Sequence, residues 1–300
     1  MTSREPAWPR ATELLVSDDP ADRLVVGLLG ISTWSTSVSP RSAASTPDAV
    51  RSALGRFSTF VVEGQFDLLD HLCVLDLGDL ADPDGSDAAR RATDVLSRLA
   101  PATPCAVLGG DNSATVPGLL GRAGGVLEGW GLVTVDPHLD VREGHSNGSP
   151  VRELIEAGLD PRHVVQIGTA DFVNSRRHAT WASSVGATRF TRGHVDHDGL
   201  EATLVAALEI AGDGGRAVYV DLDVDSVDQA AAPGCPASVP GGLSAWQFRQ
   251  LARQVGRDAR VAAVDLTEVD VERDAPDLRT VRLVALAMLE FLAGVVERGR

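Results

Sequence analysis

Gly131-Leu132-Val133-Thr134-Val135 runs without a break into Asp136-Pro137-His138-Leu139-Asp140. The first half is a short apolar run, the pattern of a strand buried in a sheet. The second half places an acid, an imidazole and an acid at alternate positions. In extended backbone, residues i, i+2 and i+4 face one side, so Asp136, His138 and Asp140 are expected to converge on one point. That point lies at the carboxyl end of a strand, the edge where open α/β sheets place their sites. Mixed carboxylate and imidazole donors suit a divalent cation such as Mn2+. A polar strand-exit loop with capping aspartates is the other reading of the same residues.

Similar short apolar runs recur on both sides of this stretch. Residues 23–30, 71–77, 106–109, 164–168, 217–222 and 260–266 read as strands. Helical stretches alternate with them: one capped by Ser86 and running to about Leu99, then 151–157 ended by Gly158, 200–211, 245–255 and 278–296. This alternation predicts an α/β fold with a mainly parallel sheet covered on both faces. No internal repeat or long linker divides the chain. The Ser/Thr/Pro-rich segment 32–47 reads as a loop, so 1–300 is expected to form a single domain with 1–22 as an N-terminal extension.

The 300 residues are 44% hydrophobic but only 4% aromatic, so aliphatic side chains must fill the core. The formal charge of −15 repels nucleic acid and anionic membrane surfaces, which argues against both as partners. It also works against an anionic substrate unless a local cation receives it. Every Lys/Arg position is arginine, which reads as coding bias. Cys73, Cys105 and Cys235 are odd in number and widely spaced, giving no disulfide framework and suggesting a reducing compartment. There is no apolar signal core and no run long enough to span a membrane, so a cytoplasmic enzyme is expected.

A second acidic cluster, Asp221-Leu222-Asp223-Val224-Asp225-Ser226-Val227-Asp228, follows the apolar run Ala217-Val218-Tyr219-Val220. Like charges gathered at a strand end are costly unless a cation compensates them. A solvated acidic loop is the alternative. Two carboxylate-bearing strand ends suggest a two-metal site. Glu268, at the end of a further strand, is then a candidate to hold a cationic substrate group.

These segments resemble the motifs of the arginase/agmatinase (ureohydrolase) family, in order and over nearly the whole chain. Gly109-Gly110-Asp111-Asn112-Ser113 resembles its GGDHS motif, Asp136 to Asp140 its DAHxD motif, and Asp221 to Asp228 its SxDxDxxDP motif. Thr267-Glu268-Val269-Asp270 resembles its glutamate segment. Within the family, Asp225 to Pro236 (DSVDQAAAPGCP) and Ser146 to Pro150 (SNGSP) are similar to runs of the formimidoylglutamases, and Arg142 resembles the arginine ending their metal motif. An arginine there can grip a carboxylate bidentately. A surface arginine in an exposed loop is the competing reading.

The resemblance implies a three-layer α/β/α sandwich and hydrolysis of N-formimidoyl-L-glutamate to L-glutamate and formamide in histidine breakdown. It implies two Mn2+ per chain held by Asp136, His138, Asp140, Asp223 and Asp225. Asn112 stands where the family has a histidine, which makes it a weaker sixth ligand. Asp140 and Glu268 take the catalytic roles, Arg142 and Asn147 the substrate-binding ones. It also implies a homo-oligomer, trimer or hexamer. Two alternatives follow the departures: a ureohydrolase acting on agmatine, guanidinobutyrate or another amidine, and a metal-impaired, non-catalytic homologue serving as a partner subunit.

Overall fold

A computed structural model describes residues 8–18, 23–39 and 44–299. Its strands are β1 (Leu15–Val16), β2 (Leu24–Ile31), β3 (Phe60–Val61), β4 (Phe66–Asp67), β5 (Leu72–Asp79), β6 (Cys105–Gly109), β7 (Trp130–Val135), β8 (Val164–Thr169), β9 (Thr188–Thr191), β10 (Ala217–Asp223) and β11 (Val261–Thr267). Its α-helices are α1 (Thr46–Leu54), α2 (Ala88–Leu96), α3 (Thr115–Arg122), α4 (Pro150–Glu156), α5 (Arg176–Val185), α6 (Arg192–Asp198), α7 (Leu200–Ala211), α8 (Ala245–Arg257) and α9 (Arg279–Glu297). Among the described residues, nine strands pair in parallel in the order β1-β5-β2-β6-β11-β10-β7-β8-β9, while β3 and β4 form a separate antiparallel pair.

Side-chain alternation along the central strands builds two cores. Val218, Val220 and Leu222 of β10 join one cluster with Phe248 and Leu251 of α8 and Val284 and Met288 of α9. Tyr219 points to the opposite face, into a second cluster with Ala92 of α2, Leu119 of α3 and Leu154 of α4. Period-2 alternation therefore covers both faces with helices, and the molecule is a three-layer α/β/α sandwich. Each fully buried Val, Leu or Phe contributes roughly 1.5–3 kcal/mol to that packing.

The expected strands all occur, with ends shifted by a few residues. Differences arise at short and polar elements. Leu15–Val16, inside the expected N-terminal extension, pairs with β5 at the sheet edge. Part of that extension, 1–7 and 19–22, lies outside the described residues, as do 40–43 of the expected loop 32–47, whose end enters α1. The N-cap of α2 is Asp87 rather than Ser86, and its side chain makes no capping bond. No helix among the described residues is long and apolar enough to cross a membrane.

In the sheet, β6, β11, β10 and β7 are neighbours. Their carboxyl ends bring residues about 112, 268, 223 and 136 to one place, although these lie up to half the chain apart in sequence. Gly110 permits this convergence. A Cβ there would stand 2.1 Å from the Thr33 carbonyl oxygen. The Gly110 carbonyl also accepts the amide of Glu268 at 2.9 Å, tying β6 to β11.

Candidate metal centre

The sheet delivers five of the anticipated ligands as two overlapping triads. Asp136, His138 and Asp225 have donor atoms within 4.8 Å of one another, and so do Asp136, Asp140 and Asp223. Asp136 belongs to both. The route differs from a straight extended strand: β7 ends at Val135, the chain bends at Pro137 and His138, and Asp140 takes a left-handed backbone (φ 52°). Glu268 is also left-handed (φ 65°). Such conformations are costly for residues other than glycine, of the order of 1–3 kcal/mol, and need support from their surroundings.

Asp136, Asp140, Asp223 and Asp225 are all buried. Burial, then repulsion from Asp225, raises the Asp136 carboxyl to about 6. Burial and neighbouring carboxylates also raise Asp140 and Asp223. The Asp225 carboxyl is raised chiefly by burial. His138 Nδ1 lies 2.8 Å from Asp225 and 3.2 Å from Asp136. Burial disfavours its charge, but hydrogen bonds to both carboxylates outweigh that and push it up to about 12. An imidazolium thus stands among the acids, and Asp225 Oδ1 is buried without a hydrogen-bond partner. A cluster short of positive charge, with hard oxygen donors and one imidazole, fits a divalent cation of Mn2+ type.

Asn112 is buried beside the second triad, but it turns its amide nitrogen inward. Nδ2 donates to Asp140 at 2.5 Å, and Oδ1 accepts from the Thr115 and Thr267 hydroxyls at 2.9 and 3.3 Å. Its backbone N–H donates to Glu268 Oε1 at 2.9 Å. Asn147 Nδ2 donates to the same oxygen at 2.9 Å, while its Oδ1 accepts the Val38 amide at 2.8 Å. Two donors therefore aim the Glu268 carboxylate.

The remaining acids of the 221–228 run diverge. Asp221 pairs with Asp265 across β10 and β11. Burial and Asp265 raise the Asp221 carboxyl well above its usual range, and Asp265 accepts the Tyr219 hydroxyl at 2.9 Å. Asp228 turns outward and accepts the amides of Ala230 and Gly241 at 2.9 and 2.8 Å. Cys235 is buried, and burial followed by the charges of Asp225 and Glu268 raises its thiol, unsuiting it as a nucleophile.

A pocket of about 150 Å3 opens over the triads, lined by His138, Asp140, Asp223, Asp225, Glu268, Arg142, Asn147 and, unanticipated from sequence, Asn174 and His178. Arg142 sits at its mouth and forms no ion pair among the described residues. Burial, then the charges of Arg142, Arg177 and Arg152, lower His178. His145 is turned away, 2.9 Å from Glu153 on the exposed side. Asn174 lies just before α5 and His178 in its first turn, within a continuous polar run where no spacing marks either residue.

A model of the arginase family matches residues 25–294. The formimidoylglutamase of Halalkalibacterium halodurans is 35% identical over 281 residues, 89% of this chain and 86% of that one. The crystal structure of formimidoylglutamase from Bacillus subtilis superposes with a TM-score of 0.90 at 26% identity, covering 99% of this chain and 94% of that one. The formiminoglutamase of Trypanosoma cruzi, solved with Mn2+2, shares the fold at a TM-score of 0.86 and 24% identity, over 97% and 99% of the two chains.

Proposed function

The chain belongs to the arginase family, and from that premise we propose that it hydrolyses N-formimidoyl-L-glutamate to L-glutamate and formamide, the formimino-removing step of histidine degradation. The observation that carries the substrate reading is Arg142: a guanidinium with no ion pair among the described residues, lining the pocket into which His138, Asp140, Asp223 and Asp225 of the two triads open. The names of the similar proteins support the same substrate.

Asp136, His138 and Asp225 are proposed to hold one Mn2+, and Asp136, Asp140 and Asp223 the other. Bound there, the ions supply Lewis acidity and a water acidified towards neutrality. Asn112 serves this site through its hydrogen bond to Asp140. An oxygen from Asn112 could reach a cation only after leaving the Thr115 and Thr267 hydroxyls.

The remaining work falls to the protein. Glu268, aimed by Asn112 and Asn147, accepts hydrogen bonds from the cationic formimino nitrogens. Arg142 grips a carboxylate of the glutamate end, and Asn147 lines its path. Water adds to the formimino carbon, and the bond from that carbon to the glutamate nitrogen breaks. Asp140 takes the proton from the water and returns it to the departing nitrogen. The buried cysteines, with no disulfide among them, support a cytoplasmic location. A homo-oligomer, trimer or hexamer, belongs to the same reading and is checked by light scattering.

A substrate panel after chelation and metal return tests this reading. Chelation abolishes activity, Mn2+ restores it best, and formimidoylglutamate exceeds agmatine, guanidinobutyrate and guanidinopropionate in kcat/KM. Full activity in protein shown by elemental analysis to be metal-free overturns the metal assignment. A guanidino compound as best substrate overturns the substrate assignment.

A further inference from the structure

The loop carrying Asp136, His138 and Asp140 is gripped at its middle by two side chains from outside it. Asn174 Oδ1 accepts the Leu139 amide at 2.9 Å, and its Nδ2 donates to the carbonyls of Pro137 at 2.8 Å and Ala170 at 3.1 Å. Gln166, on β8 and fully buried, donates from Nε2 to the Leu139 carbonyl at 2.7 Å. These bonds reach three successive peptide planes: the two flanking His138 and the one leading into Asp140. On the far side of Asp140, its carbonyl accepts the amides of Val151 and Arg152 at the start of α4, at 3.1 and 3.3 Å. The rotation that makes Asp140 left-handed is therefore fixed from both ends.

The consequence lies in where the two side chains go. His138 enters one triad and Asp140 the other, with Leu139 between them. The orientation of the Leu139 peptides therefore bears on how far apart these two side chains are held. We propose that Asn174 and Gln166 are positioning residues that set this distance, an inference resting on the two-metal reading above. Asn174 also lines the pocket, but among the described residues neither side chain hydrogen-bonds a triad carboxylate; both act through the backbone. Loss of a supporting partner outside the ligand shell typically costs about 10- to 100-fold in metal affinity.

Gln166 separates positioning from simple structural support. Its Oε1 is buried without a hydrogen-bond partner, so a methionine of similar size removes an unsatisfied acceptor together with the donor. A purely structural role predicts that Gln166→Met changes melting of the metal-free protein while leaving Mn2+ binding intact. The positioning role predicts, beyond any fall in melting from the unpaired Leu139 carbonyl, Mn2+ binding weakened tenfold or more and a changed spectrum.

The experiment is a Mn2+ binding isotherm with electron paramagnetic resonance on wild type, Asn174→Ala and Gln166→Met, with metal-free thermal unfolding alongside. Wild type is expected to bind two ions with an exchange-coupled spectrum, and both variants to shift towards the six-line signal of isolated Mn2+. Native affinity and a native coupled spectrum in Gln166→Met overturn the proposal, even where Asn174→Ala fails to fold. Wild type that binds no Mn2+ overturns the metal reading beneath it, a separable outcome.

Discussion

Replacing Gly148 with alanine tests the role of Arg142 without touching its charge. A Cβ at Gly148 would lie 2.6 Å from Arg142 Cδ, 2.8 Å from Nε and 3.3 Å from Cγ. Carbon atoms settle at about 3.5–4.0 Å, so the side chain must move by roughly 1 Å at Cδ and further at the guanidinium. Gly148 is absent from the left-handed residues, so its backbone accepts alanine without that strain. The Arg142 amide keeps its bond to the Gly148 carbonyl at 2.9 Å. Stability should hold or rise slightly, since alanine narrows the unfolded ensemble. What is lost is the aim of one cation. A hydrogen bond to a charged group is worth about 1.5–3 kcal/mol, and the exposure of Arg142 favours the lower part of that range. A KM increase of roughly 10- to 30-fold on formimidoylglutamate follows, with kcat and Mn2+ content near native. The control is a double-mutant cycle measured by glutamate release. In an Arg142→Ala background, which alone should lower kcat/KM at least as much, Gly148→Ala should add nothing. Equal increments in both backgrounds, or native kinetics in the single variant, refute the assignment.

Two further outcomes follow from the metal centre. His138 is held protonated in the metal-free arrangement at about 12, whereas the ligand form of imidazole is neutral, so metal binding there must release a proton. Apparent affinity should rise by about tenfold per pH unit between pH 7 and 9, and calorimetry in buffers of different ionisation enthalpy should count at least one proton released; a pH-independent affinity overturns this. Asn112→His should tighten the Asp136, Asp140 and Asp223 position, because the Thr115 and Thr267 hydroxyls stand ready to take the second ring nitrogen; a wild type that keeps two ions through dialysis removes the premise of a weak position.

The layers were legible because buried parallel strands are nearly continuous apolar runs, as in β2 and β7. The short edge strands β1 and β9 were not, since they lack a face buried enough to impose a pattern. Helices α5 and α6 bury only Ala182 and Val195 respectively, so no apolar stripe announces them in the sequence. At the site, Asp136, His138 and Asp140 were legible from spacing, yet for an incomplete physical reason. The alternation anticipated their convergence, but the loop bends at Pro137 and His138 and turns left-handed at Asp140, so backbone support rather than strand geometry delivers them. Nothing in the local sequence around Asn174 or Gln166 records that support, because it passes between side chain and backbone across 27 to 37 residues. The run from Asp221 to Asp228 misled in the other direction. Regular spacing of acids does not distinguish Asp223 and Asp225, aimed at the cluster, from Asp221 behind it or Asp228 outside it.

How a chain of net charge −15 receives a dicarboxylate is answered by which arginines are already engaged. Arg152 pairs with Glu156 at 2.7 Å and stacks over Trp181. Arg177 pairs with Glu143. Both lend positive potential to the pocket mouth, enough to help lower His178, but each guanidinium has a protein carboxylate beside it. Arg142 alone of the three has no such partner among the described residues. Held against Gly148, it faces the pocket that the acids line from below. A carboxylate arriving there gains a pairing that displaces no existing salt bridge, so its attraction is opposed only by desolvation and by the distant field, which salt screens within about 8–10 Å. Raising ionic strength should therefore change kcat/KM little for wild type. A steep fall with salt would mean that long-range steering by Arg152 and Arg177, rather than contact with Arg142, governs capture.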